Sequence, residues 1–202
     1  MRYLFVAETD IRDAANWTRC PETRGMAFTA PDSFTTRPTL RGSFGMAAST
    51  HWLASSSAMA VLERGGNAFD AAVAAGFVLH IVEPHLNGPG GDLVGLVAPA
   101  GGSPRVLAGL GAAPRGASAA SYRELGFDLV PGAGFLAATV PGAFDAWLLL
   151  LRDHGTWELD DVVAFALDYA KNGYPVLPAV VRTIDTVAPL FASTSLKPED
   201  DG

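Results

Sequence analysis

Between two glycine-rich turns, the run Ala68–Val82 is apolar or small at nearly every position, with only Asp70 and His80 as ionisable breaks. A helix built from it leaves no face for water, so the sequence predicts a buried helix around which the rest of the chain must pack. Its start is well marked. Asn67 caps the orphan N–H groups of the first turn, and Asp70, three residues on, places a negative charge where the helix N-terminus favours one. At 1.5 Å per residue the run is about 22 Å long, too short to cross a bilayer, so a protein core is its setting. Pro84 stops it, and Asn87-Gly88-Pro89-Gly90-Gly91 makes a turn that glycine-rich backbone can follow.

The flanks read as alternating strands and helices. Residues 44–49 suit a short strand, and Ser49-Thr50 are placed to cap a helix over residues 52–64 that Gly65-Gly66 ends. On that helix Ala54, Ala58, Val61 and Leu62 share one side, and Ser55, Ser56 and Glu63 the other. Residues 93–98 and 105–109 read as a hairpin across a Pro-Ala-Gly-Gly-Ser-Pro turn. Helical patterns follow over residues 144–153, closed by Gly155, and residues 159–172, closed by Gly173, and a further helix starts near Pro178. The sum is an α+β chain without internal repeats.

With 202 residues and 49% hydrophobic content, the chain can bury a sizeable core. Residues 1–41, turn-rich with Pro21, Pro31 and Pro38, are expected to form a loosely ordered leader, and residues 42–202 one domain. A net charge of −7 without any basic run argues against a nucleic-acid partner, and no segment suits a membrane span. The single cysteine, Cys20, allows neither an internal disulfide nor a cysteine-based metal site. The apolar run at residues 3–7 is too short for a secretory signal before Glu8 and Asp10, so the cytoplasm is the expected compartment.

Local chemistry is sparse. His80, Glu83 and His85 cluster around Pro84 but match neither the H-E-x-x-H nor the H-x-x-E-H order, so no metal site is expected; His51 and His154 sit at helix ends as ordinary polar side chains. The nucleophile elbow G-x-S-x-G is absent, and Ser55, Ser56 and Ser57 read as helix surface. The turn Gly88-Pro89-Gly90-Gly91 leads into a strand and is followed by no lysine, which disfavours nucleotide binding. Its amides suit the wall of an anion or oxyanion site, with Asp92 beside it either as a titrating group or, more simply, as a solvated turn carboxylate.

Three runs resemble the N-terminal part of the γ-glutamyltransferase family. They are Gly45-Met46-Ala47-Ala48-Ser49-Thr50-His51, the stretch from Leu62-Glu63-Arg64-Gly65-Gly66-Asn67 through Ala75, and Val82-Glu83-Pro84-His85 with Gly88-Pro89-Gly90-Gly91. Val140-Pro141-Gly142, His154-Gly155-Thr156 and Lys171-Asn172-Gly173-Tyr174-Pro175 extend the similarity, which covers residues 42–190. The resemblance implies part of an N-terminal nucleophile hydrolase fold with αββα layers. It also implies a self-cleaving proenzyme whose new N-terminal threonine attacks a γ-glutamyl amide such as that of glutathione and passes the acyl group to water or an amine. No cofactor is implied. In that family the nucleophile and oxyanion-hole glycines belong to the small subunit, downstream of anything here, so no catalytic residue is expected in this chain and alone it should be inactive. Its implied partners are a small acyl amide and that missing C-terminal part.

One substrate residue of the family falls within range. Family members read Arg-Glu-x-Ala-Pro after the second hairpin strand, the arginine pairing with the α-carboxylate of the γ-glutamyl group. Here the run is Leu110-Gly111-Ala112-Ala113-Pro114, with leucine in the arginine's place. Arg115, five residues on, either swings in as a substitute or, more simply, is a surface arginine. An acylase of the same fold acting on non-glutamyl amides is therefore a second expectation, and a non-catalytic remnant or scaffold a third.

Overall fold

The computed structural model describes residues 5–8, 42–132 and 134–194, with side chains for residues 42–132 and 134–189. Cys20 and the polar end at residues 195–202 lie outside the described residues, as does the leader apart from one strand. That strand, β1 (Phe5–Glu8), pairs antiparallel with β2 (Gly45–Ala48), Phe5 opposite Ala48 and Glu8 opposite Gly45. The chain continues through α1 (Trp52–Glu63), α2 (Ala68–Val82), the hairpin β3 (Leu93–Val97) and β4 (Arg105–Gly109), and α3 (Ala119–Glu124). A 3-10 turn at Phe135–Ala137 precedes α4 (Ala143–His154), α5 (Leu159–Asn172) and α6 (Pro178–Thr194). This is the expected α+β order, with α3, the 3-10 turn and β1, which lies in the stretch expected to be a loosely ordered leader, unforeseen.

Helix α2 is the hub. No residue of it is exposed, and Ala71, Val73, Ala74, Ala75, Val78 and Val82 are sealed from solvent. It packs against α1, α4 and α5, whose Leu53, Val61, Leu151, Val162 and Ala166 complete one hydrophobic cluster. Close approach to α4 depends on a missing side chain: a Cβ at Gly76 would stand 2.5 Å from Cζ2 of Trp147. None of the helices described is long and apolar enough to cross a membrane.

The turn between α1 and α2 is a Schellman motif. Gly66 N–H donates to the Val61 carbonyl and Gly65 N–H to that of Leu62, with Gly65 at φ +89°, a left-handed conformation that side chains disfavour. Asn67 then caps α2 as expected, its Oδ1 accepting from Phe69 and Asp70 N–H while Asp70 accepts from Asn67 N–H in a capping box.

Three local expectations are corrected. The cap of α1 is His51, whose Nδ1 accepts from Leu53 N–H at 3.1 Å; Ser49 instead donates to the His51 carbonyl, and Thr50 donates to Glu83. An imidazole lone pair does here what a serine oxygen does elsewhere. Ser57, expected on the surface, is buried and donates to the Leu53 carbonyl at 2.9 Å, which satisfies its hydroxyl inside the α1 packing face. Helix α4 starts at Ala143, one residue before the expected position.

Candidate functional site

Leu110, at the position of the family's carboxylate-binding arginine, and Arg115, weighed as its substitute, lie in the segment that leaves β4. Leu110 is 60% exposed, and Arg115 is exposed within a turn that Ala117 N–H closes by donating to the Pro114 carbonyl. Glycines fix the path on either side of Leu110. A Cβ at Gly111 would lie 1.7 Å from the Val140 carbonyl oxygen, and one at Gly142 2.4 Å from that of Gly109, so the end of β4 crosses Val140-Pro141-Gly142 backbone against backbone. Val140 N–H donates to the Ala112 carbonyl at 3.0 Å across the same crossing. The leucine is thus presented outward on a rigid corner. Further along the segment a shallow pocket of about 180 Å³ is lined by Pro114, Ser121, Tyr122, Leu125, Phe135 and Leu136, with Tyr122 Oη donating to the Leu136 carbonyl. Such a surface suits apolar groups.

The glycine turn after α2 has a structural task. Asn87 Nδ2 donates to the Glu83 and Leu79 carbonyls and so closes the C-terminus of α2, while the Gly91 carbonyl accepts from Gly142 and Ala143 N–H and closes the N-terminus of α4. Gly91 N–H is bonded to the Gly88 carbonyl within the turn, and Asp92 is exposed beside it.

Asp70 does more than complete a capping box. Fully buried, its carboxylate also accepts from Thr156 N–H at 2.8 Å, Thr156 Oγ1 at 2.6 Å and Trp157 N–H at 3.1 Å, in the loop between α4 and α5. Asn67 Nδ2 adds a bond to the His154 carbonyl. One end of α2 is therefore clamped to a loop more than eighty residues away, and the only local sign of it is a carboxylate three residues after a cap.

A second buried polar group joins the start of α1 to the end of α2. Glu83 accepts from Thr50 Oγ1, and the buried His51 feels the charge of the same carboxylate. Burial pushes the His51 imidazole below its ordinary value, with the Glu83 charge opposing. Because Nδ1 accepts from Leu53, the neutral ring carries its proton on Nε2, which is buried without a hydrogen-bond partner, as is Nδ1 of His85. Burial lowers His80 as well. His154 ends α4 with its ring 4.8 Å from that of Phe69. Among the described residues no three His, Cys, Asp or Glu side chains are grouped to hold a metal ion.

Comparison with known proteins adds what local chemistry does not. The family model for gamma-glutamyltranspeptidase matches residues 54–199. The chain is 38% identical over 155 residues to the glutathione hydrolase-like YwrD proenzyme of Bacillus subtilis (strain 168), covering 76% of this chain and 29% of that protein. It superposes on the solved structure of LmbA2991HD with a TM-score of 0.77 at 65% identity, covering 79% of this chain and 28% of the other. On Helicobacter pylori gamma-glutamyltranspeptidase the TM-score is 0.72 at 33% identity, over 78% and 46%. The chain thus spans less than half the length of each of these three proteins.

Proposed function

Since the chain belongs to the gamma-glutamyltranspeptidase family, we propose that it forms the N-terminal part of an amide-cleaving acyl transferase or hydrolase of the N-terminal nucleophile kind. The match over residues 54–199 carries the reading. In it, a threonine outside these 202 residues attacks the amide, expels the amine and hands the acyl group to water or a second amine. This chain supplies the scaffold behind that chemistry: the α2 hub, the Asp70 clamp and the rigid corner that presents Leu110. The expected acyl donor is a γ-glutamyl amide of the glutathione kind.

A second reading, an acylase on amides without an α-carboxylate, is favoured by Leu110. A donor carboxylate brought against leucine loses its water and gains no cation, which is costly. Both readings are tested with the complete translation product of the reading frame, on γ-glutamyl, glutaryl and simple acyl anilides. The first expects the γ-glutamyl anilide to have the highest kcat/KM. The second expects a simple acyl anilide to lead, and Leu110→Arg to shift the preference toward the γ-glutamyl compound. Residues 1–202 alone are expected to turn over none of them. Turnover by residues 1–202 sinks the assignment of the nucleophile, and inactivity of the complete product on all three sinks both readings.

A further inference from the structure

Two of the four asparagines, Asn87 and Asn172, precede glycine, and each stands where a helix ends, Asn87 beyond α2 and Asn172 as the last residue of α5. An Asn-Gly pair can react with itself. With no Cβ on the second residue its amide nitrogen reaches the asparagine Cγ unhindered, and asparagine is accordingly a thermolabile residue. The nucleophile is that nitrogen after loss of its proton, so an N–H held in a hydrogen bond is withdrawn until the backbone opens. The two pairs differ in this respect. Gly173 N–H donates to the Tyr169 carbonyl at 3.0 Å and closes α5, with Asn172 Nδ2 donating to Asp168 Oδ1 at 2.7 Å. Asn87 and Gly88 lie outside any helix or strand, and among the described residues Gly88 N–H has no hydrogen-bond partner. Exposure points the other way, since Asn172 is exposed and Asn87 half-buried.

We infer that Asn87 is a site of spontaneous covalent modification, deamidated through the Gly88 nitrogen while the more exposed Asn172 is spared. The Gly88 nitrogen, its proton passed to solvent base, attacks Cγ of Asn87. The Cγ–Nδ2 bond breaks, Nδ2 takes up a proton and leaves as ammonia, and a cyclic imide remains. Water then opens the ring, at Cγ to give aspartate or at the backbone carbonyl to give its β-linked isomer. One water is consumed, one ammonia is released, and nothing is oxidised or reduced. The consequence is structural. Nδ2 is the donor that closes α2, bonded to the Glu83 carbonyl at 3.1 Å and to that of Leu79 at 3.4 Å. The product sets an acceptor oxygen and a negative charge against those carbonyls, at the negative end of the helix dipole. The β-linked isomer also lengthens the main chain by one carbon just before the turn whose Gly91 carbonyl accepts from Gly142 and Ala143 N–H, so the end of α2 and the start of α4 are loosened together.

Timed incubation of the complete translation product at mildly alkaline pH, followed by peptide mapping in a mass spectrometer, tests it. The modified peptide gains about 1 Da and separates into aspartate and β-linked forms. Asn87 is expected to convert at least about tenfold faster than Asn172, the factor set by opening one hydrogen-bonded amide. In unfolding urea, where both glycine N–H groups face solvent, the two rates should agree within about threefold. Gly88→Ala, at a position where an added Cβ meets nothing within 4 Å, should slow conversion of Asn87 at least about tenfold and leave the melting midpoint unchanged. Asn87→Asp should lower the urea midpoint, and aged protein should move toward that value as the modified fraction grows. Conversion of Asn172 as fast as that of Asn87 in the folded protein overturns the inference, as does an Asn87 that stays intact while its urea-unfolded counterpart converts. A gap that persists in urea also overturns it, by assigning the difference to neighbouring residues instead of the fold. An unchanged midpoint for Asn87→Asp overturns the loosening of α2.

Discussion

The helical block around α2 and the β3–β4 ribbon with its following segment draw on the same residue types and end in opposite states. In the block, alanines and valines are sealed, and polar groups that enter it, such as Asn67, Asp70 and Ser57, are hydrogen-bonded, His51 Nε2 being an exception. Along the ribbon and the segment after it, Leu96, Val106, Leu110, Leu129 and Phe135 face outward. The difference shows that apolar content does not locate a core. What locates it is whether other elements of the chain approach from that side, and here α1, α4 and α5 all approach α2 while only one side of the ribbon is met.

The sharpest way to break the contrast is to remove the clamp inside the block. Asp70→Ala leaves Asn67 N–H, Thr156 N–H and Oγ1 and Trp157 N–H without their shared acceptor. A loss of about 3–5 kcal/mol is expected, read by urea unfolding; a loss below about 1 kcal/mol would show that water replaces the carboxylate. Gly76→Val pushes a side chain into the Trp147 indole and is expected to cost about 1–3 kcal/mol in the same assay, since a packed interior yields little. An unchanged midpoint would show that α4 moves aside.

Acid should act on the block in a graded way. Burial holds His51 and His80 below 6.5 in the fold, so the unfolded chain binds more protons over the interval between the folded and unfolded values. Their contribution is fully present above pH 6.5 and is lost as pH falls through the folded values. His51→Asn, which keeps a capping oxygen, should flatten that decline in pH-dependent melting; an identical slope would clear His51 of any part in it. The smallest effect belongs to the ribbon. Leu96→Thr in residues 1–202 should move the melting free energy by no more than about 0.5 kcal/mol, because the side chain is already in water. A loss above about 1 kcal/mol, on the scale typical of point substitutions, would erase the difference between the two regions.

Much of the block is legible in the sequence because its signals are local. The Asn67 cap, the left-handed Gly65 and the apolar period of α5 are each written within a few neighbouring residues. His51 reads as an incidental helix-end residue because capping is ordinarily read from hydroxyl and carboxamide side chains, which points to Ser49 and Thr50 instead. The partners of Asp70 and the crossing at Gly111 and Gly142 join distant parts of the chain, and no short window contains both sides. The candidate site is legible only through resemblance. Leu110 has no titratable group, so chemistry by itself gives no reason to single it out.

The Asp70 clamp also bears on the order in which the molecule assembles. The α1–α2 hairpin forms from contacts close in sequence, with Asp70 still solvated, whereas its bonds to Thr156 and Trp157 wait for a loop of more than eighty residues to close. A bond made that late is absent from an early transition state. Asp70→Ala is therefore expected to speed unfolding more than it slows folding, which the two arms of a denaturant-dependent rate plot would read, and equal changes in both would place the clamp in the transition state.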